Sequence, residues 1–454
     1  MDQTIRVNPT VMGGDPNRTQ MAQPTVMGYP GSPNLGGEGG GPSLALNVRV
    51  SNRYAFAGDR TRAHVLTQIS AGGAGGFVPG GKRLPVNVCL VIDRSGSMDG
   101  SPIQYVKKAC EHVVDLLTPD DVLSIVTFEE SVEVLMPARR VTDPNLIKQH
   151  IQRIVAGTTT NLFDGLYAGG SQVASVPMAG YITRVLLLTD GEPTAGLKDF
   201  QSIVQQVADL KARGITVTAL GFGPEYNEEL MAGIARRSGG NYYYIERPEQ
   251  IPEVFQKEML TILGVTAKNI RLTLTLPRGV TVRQCYGSPP ELGARHAAIS
   301  LPDIERGATV TKLWEVDYDP HASATFRTAK VILSWDDGAT GQRETLTANA
   351  VVEFTGDASR VPAGADPLVA QELSSMQAAR DLEKTMMGMR TQQLNLADLT
   401  AALNKTQQMF TQQGNTEAAK TVQMATQAAQ RGDTGGAEKT LIGTIYSLDL
   451  GKRS

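Results

Sequence analysis

Three short segments of this 454-residue chain gather side chains that can do chemistry. In Asp93-Arg94-Ser95-Gly96-Ser97 a carboxylate and two hydroxyls alternate directly after the apolar run Val86 to Ile92. Gly157-Thr158-Thr159-Thr160-Asn161-Leu162 brings three hydroxyls to a loop. Leu186-Leu187-Leu188-Thr189-Asp190-Gly191 ends a second apolar run on a carboxylate. The donors are all oxygens, with no sulfur or imidazole among them, and this suits a hard cation such as Mg²⁺. Gly96 permits the tight turn that aims both serines at one point. Taken singly, each segment also reads as an ordinary turn or helix cap, where Asp, Ser and Gly are common. What sets them apart is position. Each falls at the carboxyl end of a predicted strand or in the loop after it, where open α/β sheets form their ligand crevice.

The elements that must position these segments follow from apolar periodicity. From residue 86, Val86 to Ile92, Val122 to Phe128, Arg184 to Thr189, Ile215 to Phe222 and Asn241 to Ile245 read as strands. Between them Ile103, Val106, Cys110, Val113 and Leu117 recur at helical spacing, and so do Leu146 to Ile154, Phe200 to Leu210, Glu228 to Arg237 and Pro252 to Leu263. Strands alternating with helices imply an α/β fold with a doubly wound, mostly parallel sheet. On either side the pattern is strands alone. Residues 44 to 70 alternate and read as two strands, and 265 to 357 holds Ile270 to Leu276, Val280 to Cys285, Thr309 to Tyr318, Thr328 to Trp335 and Thr345 to Phe354. We therefore expect a β-sandwich, begun by residues 44–83 and finished by 265–357, with the α/β domain 84–264 inserted. Residues 366–451 carry four helical stretches, with Gly414 and Gly432 ending two of them, and predict a helical domain.

Residues 1–43 are rich in Gly, Pro, Asn and Gln and read as a disordered tail. Within it Pro9-Thr10-Val11-Met12-Gly13 recurs as Pro24-Thr25-Val26-Met27-Gly28, with a weaker variant around Thr19.

Composition narrows the function classes. A net charge of -3 provides no strong field toward nucleic acid or anionic lipid. The three cysteines, Cys89, Cys110 and Cys285, lie far apart, with the first two in apolar patterns, and read as buried free thiols suited to a reducing compartment. The five histidines are scattered, without zinc spacing. Gly76-Phe77-Val78-Pro79-Gly80-Gly81-Lys82-Arg83 approaches a phosphate-binding loop but has Arg83 where Ser or Thr is needed, and it precedes a strand. No Gly-x-Ser-x-Gly elbow surrounds Ser95 or Ser97, so a hydrolase is not expected. The N-terminus lacks the layout of a signal peptide, and no apolar run approaches the roughly 18 residues of a membrane span; a cytoplasmic protein is expected.

The first segment matches the Asp-x-Ser-x-Ser signature of the metal-ion-dependent adhesion site (MIDAS) in von Willebrand factor A domains. The threonine loop and the strand-terminal Asp190 resemble the second and third parts of that pattern. The resemblance covers about residues 86–264; the layout is similar to soluble bacterial members and to the inter-α-trypsin-inhibitor branch. It implies direct coordination of Mg²⁺, or of Mn²⁺ or Ca²⁺, by Ser95, Ser97 and Thr160, with Thr159 as the alternative to Thr160. Asp93 and Asp190 then act mainly through ordered water. It also implies an open position for an Asp or Glu of a protein partner, and a scaffold or adhesion module rather than an enzyme. The repeated tail element resembles threonine motifs read by forkhead-associated domains. On that reading Thr10, Thr25 and, in the weaker variant, Thr19 are phosphorylation sites of a Ser/Thr kinase, and the chain is a signalling adaptor.

Overall fold

A computed structural model describes residues 43–72, 83–177, 179–223, 225–391 and 393–453. The repeated threonine element, Thr19 and residues 76–82 of the glycine-rich loop lie outside them. The chain opens with β1 (Leu44–Val50), β2 (Tyr54–Phe56) and β3 (Thr61–Ala71). It continues through β4 (Val86–Asp93), α1 (Ser101–Leu116), β5 (Val122–Phe128), β6 (Val132–Arg140), α2 (Pro144–Gln152), α3 (Leu162–Ala174) and β7 (Ile182–Thr189). Then come α4 (Phe200–Ala212), β8 (Thr216–Phe222), α5 (Glu228–Ser238), β9 (Tyr242–Ile245) and α6 (Ile251–Leu263). Next are β10 (Val265–Thr275), β11 (Val280–Cys285), β12 (Glu291–Gly293), β13 (His296–Leu301), β14 (Ile304–Glu305), β15 (Thr309–Tyr318), β16 (Ala324–Asp337) and β17 (Arg343–Thr355). Helices α7 (Pro367–Arg390), α8 (Leu396–Gln412), α9 (Thr416–Gln430) and α10 (Thr434–Leu450) precede a final short strand, β18 (Lys452–Arg453).

Strands β4 and β7 are buried at every residue, which is why they read as unbroken apolar runs. They are central in a sheet of order β6-β5-β4-β7-β8-β9, parallel except for β6. One face packs Val106 and Val113 of α1 and Phe255 and Met259 of α6 against Leu90, Ile92 and Leu186. The other packs α3, α4 and α5 against Val91, Val185 and Leu187. Helix α3 lies close to the sheet because glycines face it: a methyl at Gly169 would stand 2.3 Å from Val91 Cγ2. Two elements of this sheet region go beyond the expected ones. Strand β6 is an antiparallel edge that leaves Val134 exposed, and the glycines of α3 mask its helical pattern.

The strands on either side of the α/β segment build one sandwich. One sheet runs β1-β3-β15-β11, with β18 on β15; the other runs β12-β13-β10-β16-β17-β2, with β14 on β10. Strand β3 pairs with β15 from Thr61↔Tyr318 to Ser70↔Thr309. Trp314, Val316, Ile69, Leu272, Leu333 and Trp335 lie in the core between the sheets. Only Gly264 separates α6 from β10. In the helical region Asp366, Asn395, Asn415 and Asp433 each cap a helix N-terminus. Gly414 and Gly432 adopt φ of 74° and 83°, the left-handed conformation that ends α8 and α9. The region docks through α10, whose Lys439 donates to the Tyr226 carbonyl and whose Tyr446 ring meets Tyr242 edge-on. Among the described residues no helix is long and apolar enough to cross a membrane. Cys89, Cys110 and Cys285 are free and buried.

Candidate metal centre

Strands β4 and β7 are parallel neighbours, with Ile92 opposite Leu188, so their carboxyl ends finish side by side. The chain turns from β4 to β5 on one side and later adds β7 on the other, which makes this the switch point of the sheet. Asp93 ends β4 with its side chain fully buried. Its Oδ1 accepts the backbone N–H of Ser95 at 2.8 Å, and its Oδ2 accepts the Thr189 hydroxyl at 2.5 Å. The Ser97 hydroxyl donates to Asp190 Oδ1 at 2.9 Å and the Ser95 hydroxyl to the same oxygen at 3.3 Å. The two serine hydroxyls are 3.2 Å apart. Four of the five residues singled out in the sequence therefore share one network.

Thr160, the fifth, is buried and reaches the same place from another loop. Its N–H donates to the Thr194 hydroxyl at 2.9 Å, and its carbonyl accepts the N–H groups of Thr194 and Ala195. This fastens it to the turn after Asp190. A methyl on Gly191 would stand 3.5 Å from Thr160 Oγ1, so that hydroxyl faces the Asp190–Gly191 turn. The Thr159 hydroxyl is buried and has no hydrogen-bond partner among the described residues. The two loops are stitched together by Gly96 N–H on the Thr158 carbonyl at 3.3 Å and Gly157 N–H on the Arg94 carbonyl at 2.5 Å. Asn161 caps α3.

Three contributors escaped the reading of the sequence. Thr189 and Thr194 hold Asp93 and Thr160, and Glu129 accepts the hydroxyls of Thr158 and Ser131. The N–H of Glu130, then the Ser131 hydroxyl, hold the Glu129 carboxyl down at about 2. A hydroxyl adjoining a strand-terminal carboxylate was the available signal for Thr189; Glu129, just after β5, has Ser131 beside it in sequence, but its link to the site, the Thr158 hydroxyl, is 29 positions away.

Electrostatics decide what the arrangement accepts. Burial, with the charge of Asp190 adding to it, pushes the Asp93 carboxyl up to about 6 against the hydrogen bonds from Thr189 and Ser95. Burial also raises Asp190, and Glu225 adds to the effect. Two carboxylates penned together in a poorly solvated turn favour a cation as countercharge. Among the described residues no group of three or more His, Cys, Asp and Glu converges. The donor set here is two carboxylates and neutral hydroxyls, which fits a hard divalent ion held with little neutralisation of its charge.

Comparison with known proteins bears on the α/β segment that carries this geometry. Residues 87–257 match the family model for the von Willebrand factor type A domain. Protein sll0103 of Synechocystis is 35% identical over 196 residues, 43% of this chain and 46% of that protein. Human inter-alpha-trypsin inhibitor heavy chain H4 is 29% identical over 174 residues, 36% of this chain and 19% of that one. The chain thus matches less than half the length of these curated relatives. The solved von Willebrand factor type A structure from Catenulispora acidiphila superposes with a TM-score of 0.69 at 18% identity, covering 84% of this chain and 89% of that one. This last likeness is one of fold, and it extends beyond the α/β domain into the sandwich and helices.

Proposed function

Because residues 87–257 form a von Willebrand factor type A domain, we propose that the chain is a divalent-cation-dependent protein-binding module that takes up an acidic side chain of a partner. The observation that carries this reading is the convergence of Ser95, Ser97 and Asp190 oxygens within 3.3 Å, with the Thr160 hydroxyl turned toward the same turn. Ser95, Ser97 and Thr160 would hold the ion, and Asp93 and Asp190 would balance its charge. When bound, Mg²⁺, or Mn²⁺ or Ca²⁺ in its place, supplies an electrophilic point for a carboxylate oxygen. The protein's own part is positional. Thr189 and the Ser95 N–H fix Asp93, and Thr194 fixes the backbone of Thr160. On this reading the role is binding: both serine hydroxyls are directed at Asp190, at the position where the ion would sit.

Calorimetric titration of the full chain with Mg²⁺ and Mn²⁺ tests the first half, and affinity purification with and without EDTA tests the second. Asp93→Ala should abolish both cation binding and the EDTA-sensitive partner. Cation binding that survives Asp93→Ala, in a folded variant, sinks the proposal.

The recurrence of Pro-Thr-Val-Met-Gly favours a second reading: a signalling adaptor whose Thr10, Thr25 and Thr19 are modified by a kinase and read by a forkhead-associated-domain protein. Phosphate would add about −1.5 to −2 charges at each threonine. Mass spectrometry of protein from its native cell decides it; unmodified threonines under every growth condition remove it. Both readings place the chain in the cytoplasm, where buried free thiols such as Cys89, Cys110 and Cys285 stay reduced.

A further inference from the structure

The outer face of the first sandwich sheet is divided in two. Helix α7 covers one half, packing Val369 and Met376 on Leu66 and Leu313. The other half is ionic. Cross-strand register sets Arg62 of β3 opposite Asp317 of β15, and His64 opposite Glu315. On the other side of β15, Val282 of β11 pairs with Val316 and Gln284 with Glu315, so Arg283 is the extra residue of a β-bulge. A bulge re-aims side chains. Here both residues after Val282 reach the carboxylates: Arg283 Nη1 donates to Asp317 Oδ2 at 2.9 Å, and Gln284 Nε2 donates to Glu315 Oε2 at 2.5 Å.

The charges on this face are layered. Glu315 and Asp317 lie underneath, with side chains 9% and 6% exposed, while Arg60, Arg62 and Arg283 lie above at 60%, 59% and 47%. Arg62 approaches both carboxylates through Nε, at 3.2 and 3.6 Å, which leaves its terminal nitrogens farther off. The Arg60 and Arg62 guanidiniums are held by ion contacts, with no side-chain hydrogen bond to the described residues. A fourth guanidinium, Arg380 of α7, stands over the Tyr286 ring and donates to Gln284. Between Arg62, Arg283, Gln284 and Glu315 opens a groove of about 600 Å³.

We propose that this groove is a second binding site, separate from the metal centre, that takes up an acidic segment of a partner protein through its carboxylates. The buried carboxylates orient the guanidiniums and do not exhaust them, since each guanidinium carries five N–H donors in a fork that matches a carboxylate. Mutual neutralisation alone does not account for the face, because exposed ion pairs add little stability and three guanidiniums, Arg60, Arg62 and Arg283, share the two buried carboxylates, with Asp319 beside Arg60 at the rim. A nucleic acid is the poorer occupant: with a net charge of -3 the chain provides no extended positive field for a continuous run of phosphates, whereas a short acidic segment needs only the local arginines.

The test uses the full chain in EDTA, with fluorescein-labelled hexaglutamate and hexaglutamine peptides followed by anisotropy. Hexaglutamate should bind at least about ten-fold more tightly than hexaglutamine, and the preference should fall between about 50 and 300 mM NaCl. Arg62→Gln with Arg283→Gln should weaken hexaglutamate binding about ten-fold and leave hexaglutamine unchanged. Should that pair not fold, Arg60→Gln alone, which keeps two arginines on the buried carboxylates, should weaken it about three-fold. Equal affinity for the two peptides, undiminished binding by the folded variants, or binding that needs a divalent ion would each overturn the proposal. Because the peptide assay excludes divalent ions, its outcome is independent of the metal-centre reading.

Discussion

Ser97 Oγ donates to Asp190 Oδ1 at 2.9 Å across 93 positions of sequence. The contact joins the loop after β4 to the end of β7, and it exists because those strands are parallel neighbours ending at the same level. Everything proposed for the metal centre depends on this closure.

The two adjacent threonines can be separated by experiment. Thr160→Ala should weaken Mg²⁺ or Mn²⁺ binding by at least about ten-fold, since its hydroxyl faces the Asp190–Gly191 turn. Thr159→Ala should leave cation affinity within about two-fold while removing a buried hydroxyl that has no partner among the described residues. Titration calorimetry on both variants reads the difference; the reverse ranking would assign the ligand to Thr159.

Acid should weaken the entry to β4. Asp121 is fully buried and accepts from Arg83 at 2.6 and 2.8 Å, from the N–H groups of Val86 and Thr118, and from the Thr118 hydroxyl. Burial pushes its carboxyl up, but Arg83 and these donors outweigh it and hold the group below its ordinary value. The stabilisation is therefore present above the unfolded pKa of about 3.9 and is lost as pH falls through the folded one. Asp121→Asn should cost about 2–4 kcal/mol at pH 7. Urea unfolding should show the gap to wild type narrowing below about pH 4; a constant gap would mean that charge is not what Asp121 contributes.

Helix α3 has no room to move off its glycines. Gly169→Val should cost about 1–3 kcal/mol, because even the first carbon would meet Val91 at 2.3 Å. Val91 lies in the strand that ends on Asp93, so cation affinity should fall with stability. A thermal melt and a Mn²⁺ titration on the same sample check both; an unchanged melting temperature contradicts the packing account.

Helix α6 is bolted to the sheet by one carboxylate. Glu258 is fully buried and accepts from Thr218 at 2.5 Å, Asn241 at 2.7 Å and Tyr243 at 2.9 Å. Glu258→Ala strands three donors and should cost about 3 kcal/mol or more, whereas Glu258→Gln keeps part of the network and should cost less. Hydrogen exchange across Ile251 to Leu263 should quicken in the alanine variant. Unaltered protection there would show that apolar packing alone holds the helix.

How much could be read in advance depended on how local each signal was. β4 and β7 are continuous apolar runs because both their faces are covered, and Asp93 and Asp190 stand at their ends; run and carboxylate are neighbours in sequence. Caps and left-handed glycines, such as Asp433 and Gly432, are likewise local and visible. Strand β6 went unread because Pro137 interrupts the short alternation of Val132, Val134 and Met136, as an edge strand tolerates. Helix α3 was hidden by Gly165, Gly169 and Gly170, which are poor helix formers placed there for the sheet's sake. The layered arginines were out of reach for a different reason. The bulge at Arg283 is a property of register between β11 and β15, and register is set by tertiary pairing.

The chain enters the α/β domain at Val86 and leaves it after Leu263, and contacts with the sandwich gather where β7 begins. There Lys268 donates to the Tyr181 carbonyl and Arg184 pairs with Asp303. The Asp190 turn of the candidate metal centre sits at the other end of that eight-residue strand, some 25 Å away at about 3.3 Å per residue. The sandwich is thus a pedestal, and the turn is held out like a fingertip. A bulky partner can close over it without displacing the base, and a fluorophore at the base would report on the protein's integrity without obstructing the tip.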